Sequence, residues 1–133
     1  MKGETWRATE LVKLMHELQP NLIYNNRLGS NGGMLVAEPE IYARDFTSPE
    51  QLIPPTGMMN EKGEVVPWES CLTMNESWGY TNTLFGYKRL RTLIHALVDS
   101  VSKNGNLLLN VGPDAKGNFS MKSQERLNGM GND

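Results

Sequence analysis

Three short apolar runs constrain this chain more than any other feature: NLIYNN at 21–26, SCLTM at 70–74 and NLLLNVG at 106–112. Each is too short for a helix, and none shows the polar–apolar alternation of a strand with one wet face. Runs of this kind fit strands covered on both faces of a parallel sheet. Helical patterns lie around them. In ATELVKLMHELQ, residues 8–19, Leu11, Leu14, Met15 and Leu18 share a face, with Thr5 or Thr9 as N-cap and Pro20 as the stop. The spacing of Tyr87, Leu90, Ile94, Leu97, Val98 and Val101 predicts a helix over 82–103, capped by Asn82 and ended by Asn104–Gly105. A last helix is expected over 120–130, with Met121, Gln124, Leu127 and Met130 along it. The stretch 30–67 reads as a long loop with a helical turn near 48–53.

Alternating strands and helices indicate an α/β fold with a parallel sheet. Three strands alone would leave both sheet edges unpaired and apolar faces bare. The expectation is therefore a partial (β/α)8 barrel, about three βα units, belonging to a larger domain. In such barrels ligand groups gather at the C-terminal ends of the strands. Here those ends read Asn25-Asn26-Arg27, Met74 to Trp78, and Asn110 to Pro113, each polar or aromatic directly after an apolar run.

Composition narrows the function classes. Hydrophobic residues at 38% and charged residues at 21% fit a globular protein. A formal charge of −2 supplies no general attraction for nucleic acid or anionic lipid, and no apolar run reaches the ~20 residues of a membrane span. Cys71 is the only cysteine, so no intrachain disulfide forms. It sits in a strand with no helix start or basic partner beside it, which reads as packing. His16 and His95 lack ligand-spaced partners, so neither a metal nor a cofactor is expected. NVGPDAKG lacks the Gly-Lys-Ser/Thr of a phosphate loop.

The strand ends carry the chemistry. Arg27 fits two roles, a fork onto substrate oxygens or a structural ion pair at the rim. Glu50 in SPEQ also has two readings. Ser48, Pro49 and Gln51 match a capping box, and a carboxylate in a loop over a pocket suits a general acid/base. Trp68 and Trp78 frame WESCLTMNESWGY and offer flat apolar surfaces with one N–H each, suited either to a sugar's C–H face or to the core. Glu69 and Glu76 flank the same strand and fit solvent as well as a ligand.

Four stretches carry a resemblance: QPNLIYNNRLG at 19–29, DFTSPEQLIP at 45–54, WESCLTMNESWGY at 68–80 and LVDSVSKNGNLLLNVGPDAKGNF at 97–119. In this order and spacing the chain resembles the C-terminal part of the catalytic domain of family 29 α-L-fucosidases, over roughly residues 8–130. The resemblance implies a (β/α)8-like barrel and retaining cleavage of terminal α-L-fucose from glycans. It implies Glu50 as acid/base, Arg27 as an active-site arginine after strand six, and Trp78 as an aromatic wall for the sugar, with Trp68 a second aromatic candidate. A fucosylated glycan is the expected partner, without nucleic acid or membrane.

The family's nucleophile is an aspartate in a tryptophan-rich strand-end motif. The expectation is that it lies upstream of this sequence, since Trp6 has no such aspartate beside it. The fucose-binding histidines are expected upstream too, because His16 and His95 do not match them. Met121 stands where a proline commonly opens the last helix. The isolated chain is therefore expected to have little or no activity. The alternatives are a non-catalytic fucose-binding module and a truncated chain with no fold of its own. Family members are often secreted, periplasmic or lysosomal, and the segment that decides the compartment is expected outside this sequence.

Overall fold

The computed structural model describes residues 3–29, 45–60, 62–82 and 86–132. Its regular elements are α1 (Ala8–Leu18), β1 (Glu69–Thr73), α2 (Leu90–Ser102), β2 (Asn106–Asn110) and α3 (Met121–Asn132). The α/β class expected from the sequence is the class observed. β1 and β2 pair in parallel, with Cys71 opposite Leu108, and α2 makes the crossover between them. Ser70 and Leu72 are buried on one face of β1, whereas Glu69 and Cys71 on the other are half-buried. Leu108, in register with Cys71, is 49% exposed, so that second face of the sheet is partly bare.

The first predicted strand is not one. Of NLIYNN only Asn25 makes a bridge, parallel to Phe46. The Asn25 side chain then accepts from the Arg27 amide at 3.1 Å, which turns the chain into a short 3-10 turn at Asn26–Leu28. Such a local bond competes with extension of the strand.

The third extended segment comes instead from residues 46–51, within the stretch read as loop. Thr47 N–H donates to Pro67 O, Glu69 N–H to Thr47 O, Cys71 N–H to Pro49 O and Gln51 N–H to Cys71 O, each at 2.9 Å. These bonds form a parallel ladder on the free side of β1. Pro49 has no N–H for its own rung, so the pairing breaks into bridges at Thr47 and Glu50. The expected helical turn near 48–53 is thus replaced by extended chain. Residues 30–44 and 61 of that same stretch lie outside the described residues.

Two helix starts also differ. α2 begins at Leu90, not 82, because Gly86 sits at φ +80° and the Lys88 amide is spent on Met74 O at 2.9 Å. Residues 83–85 lie outside the described ones. α1 starts after Arg7, which is left-handed at φ 56° and makes no side-chain cap hydrogen bond, so neither Thr5 nor Thr9 holds the N-cap position. The stop of α2 is as expected: Asn104 adopts φ +59° and Gly105 N–H closes on Ser100 O. α3 opens under Ser120, whose Oγ accepts from Ser123 N–H at 3.1 Å. A small core beneath α1 unites Ala8 and Val12 with Met15, Tyr24 and Leu28.

Candidate active site

Arg27 and Glu50 meet, although 23 residues apart: Arg27 Nη1 donates to Glu50 Oε2 at 2.8 Å. The second guanidinium arm donates to Ser48 O at 3.2 Å, so the fork grips both the carboxylate and its own segment. Local sequence sets this up. The Asn25 turn aims residue 27 sideways, and the buried Asn26 accepts from Ser48 N–H at 3.1 Å, locking the turn to the extended segment. The two side chains keep 37% and 40% exposure, and an ion pair that open contributes only about 0–1 kcal/mol after solvent screening. Its importance is directional. Both residues stand at the downstream ends of parallel segments.

Behind the pair, Gln51 adopts φ 55°, which costs a non-glycine residue about 1–2 kcal/mol. Its Nε2 donates to Thr73 Oγ1 at 2.9 Å, and its Oε1 faces Thr73 N–H at 3.5 Å. Thr73 Oγ1 in turn donates to Asn75 O. The Lys88 ammonium reaches Thr73 O at 2.5 Å, with Thr73 Oγ1 at 3.4 Å and Asn75 O at 3.5 Å. Burial pushes its pKa below the usual lysine value, and Glu76 pulls it partly back. Cys71 is in bridge register with Glu50. Burial raises its thiol pKa most, Arg27 lowers it, and Glu50 and Glu69 raise it. A protonated, half-buried thiol agrees with a packing role.

Trp78 leaves β1 at the same end of the sheet, 41% exposed. Its loop is held from outside the ion pair. Asn75 Oδ1 accepts from Ser77 N–H at 3.0 Å, and Asn110 Nδ2, at the end of β2, donates to Trp78 O at 2.7 Å. Gly112 lies so near that a Cβ there would sit 2.4 Å from Gly79 C. Gly112→Ala is therefore expected to cost about 1–3 kcal/mol through backbone displacement, read as a lower denaturation midpoint. An unchanged midpoint would show that the loop yields freely.

Trp68 corrects an expectation. It lies just before β1, at the opposite end of the strand from Trp78, and is fully buried. Gly105 packs on its ring, and its Nε1 donates to Lys103 O at 3.3 Å. No face of the indole is open to a sugar, because register places it beneath the chain that follows α2. A recess of about 670 Å³ between residues 51–53 and α2 is lined by Leu52, Leu72, Lys88, His95 and Asp99 among others. Arg27, Glu50 and Trp78 do not line it, and the chemistry favours the ion pair over this recess as the site. Sequence reasoning noted Asn110 only as part of a strand end and missed Thr73 and Lys88; Thr73 closes β1, while Lys88 precedes α2 and carried no local signal.

Comparison with known proteins follows the same residues. The sequence profile described as Alpha-L-fucosidase matches residues 1–132. Human plasma α-L-fucosidase is 30% identical over 133 residues, spanning 95% of this chain and 26% of its own length. An α-L-fucosidase of Branchiostoma floridae is 31% identical, spanning 95% of this chain and 27% of its own length. The solved α-L-fucosidase isoenzyme 1 of Paenibacillus thiaminolyticus is 52% identical with a TM-score of 0.87, spanning 99% of this chain and 31% of that one. A Lactobacillus casei α-L-fucosidase solved with α-L-fucose product is 29% identical, with a TM-score of 0.68, over 90% of this chain and 32% of that one. The chain thus spans about a quarter of the length of the curated relatives it matches.

Proposed function

The chain belongs to the α-L-fucosidase family, and on that premise we propose that it forms the C-terminal portion of a (β/α)8-type catalytic barrel whose whole protein removes terminal α-L-fucose from glycans with retention of configuration. The observation that carries this reading is the 2.8 Å contact of Arg27 with Glu50 at the downstream ends of parallel segments, the end at which β1 also delivers Trp78. Trp78 gives the sugar an apolar wall for its C–H face and methyl group. Arg27 supplies fixed N–H donors for substrate oxygens. Glu50 donates a proton to the leaving oxygen and then takes one from the attacking water. A retaining mechanism needs a second carboxyl roughly 5 Å away. We assign that nucleophile to a part of the protein upstream of α1, so residues 1–133 alone are inactive.

The test pairs the protein carrying this chain with the isolated chain, on an aryl α-L-fucoside. Expected are hydrolysis by the former, with α-L-fucose as the first-formed anomer by NMR, and none by the latter. Inversion, or saturable fucose binding without hydrolysis by the whole protein, would overturn the reading. Full activity in the isolated chain would overturn the assignment of the nucleophile.

A further inference from the structure

We infer that Gln51 is a positioning residue for Glu50, latched through Thr73 to the exit of β1; this rests on the acid/base reading of Glu50. The backbone at residue 51 is left-handed without being glycine, directly after the carboxylate that pairs with Arg27. The Gln51 N–H bond to Cys71 O anchors its nitrogen at 2.9 Å, and the side chain supplies a second hold. Its amide presents a donor to Thr73 Oγ1 and an acceptor toward Thr73 N–H. The Thr73 hydroxyl uses its own proton on Asn75 O, so its lone pairs are free to accept from Gln51 and to face Lys88. Lys88 draws in Thr73 O, and its backbone carbonyl accepts from Arg126 Nε of α3 at 3.1 Å. Thr73 is 2% exposed, so the far end of the latch is fixed.

The latch crosses from the segment bearing Glu50 to the loop bearing Trp78. Without it, only the bond from Gln51 N–H to Cys71 O opposes relaxation of residue 51 out of the left-handed region, and the Glu50 carboxyl loses part of its direction. Misplacement of a reacting group by about 1 Å can cost 10²-fold in rate. The loss should fall on the step that needs a proton.

The experiment uses the whole protein carrying this chain. It compares kcat/KM for two substrates: phenyl α-L-fucoside, whose leaving group needs protonation, and 2,4-dinitrophenyl α-L-fucoside, whose leaving group does not. Gln51→Met, which keeps the strained backbone and the side-chain length but removes the amide, is expected to lower the first by roughly tenfold or more and the second by less than about twofold. Thr73→Val should do the same from the other end of the latch, and Thr73→Ser, which restores the hydroxyl, should recover the loss. Equal losses on both substrates, or no loss, would overturn the inference. If Gln51→Met does not fold, the Thr73→Val and Thr73→Ser pair decides alone. A wild-type protein that cleaves neither fucoside would overturn the functional reading itself, which separates that failure from failure of the latch.

Discussion

Changing Glu50 to glutamine in the protein that carries this chain is expected to lower kcat/KM for phenyl α-L-fucoside by about 10²–10⁴, the range that general acid catalysis contributes. Glutamine keeps an oxygen for Arg27 Nη1, now 2.8 Å from Glu50 Oε2, so the geometry of the pair survives. Folding should survive as well. The ion pair is more than a third exposed on both sides, and its loss costs at most about 1 kcal/mol. An unchanged thermal midpoint beside a collapsed rate is therefore the expected signature. A rate within threefold of wild type would return Glu50 to a structural role in the rim.

Trp68→Ala should act through stability instead. A fully buried tryptophan replaced by alanine costs about 3–5 kcal/mol, from lost transfer energy and the cavity left behind. The site is unusually close, since a Cβ on Gly105 would stand 2.2 Å from the indole ring. Gly105→Ala should thus also be destabilising, by forcing the ring or the chain after α2 to move. The two residues touch, so their costs should not add. In the double variant the alanine at 105 enters space that the indole vacated, and the summed loss should shrink. Denaturant midpoints of the four proteins measure this directly. Full additivity would mean that the ring and the glycine do not share one packing unit.

These two predictions mark where sequence was legible and where it was not. The α/β class, both regular strands, the stop of α2 and the body of each helix could be read, because apolar runs and three- to four-residue spacing are local. What failed depended on distant partners. SPEQ has the composition of a helix cap, yet Ser48 is claimed by Asn26 and Pro49 by Cys71, so the same residues lie extended. Apolar spacing continues back to Tyr87, but Gly86 and the bond from Lys88 to Met74 hold that stretch out of α2. Trp68 and Trp78 were alike as residue types. Trp68 directly precedes β1 and is buried against Gly105, whereas Trp78 stands in the loop after β1 and stays exposed. Arg27 was picked as a strand-end group and Glu50 separately, as a carboxylate in a capping turn or in a loop over the pocket. Their contact needed the Asn25 turn, which a single sequence does not announce.

The bare face of the sheet has a practical consequence for anyone preparing the chain by itself. Among the described residues β2 pairs only with β1, leaving NLLLN with a free backbone edge beside the half-exposed Leu108. Such an edge templates any extended peptide it meets, and in a concentrated stock that peptide is another copy. The proposed barrel would cover this edge with a further strand, and supplying that strand by co-expression is expected to keep the chain in solution.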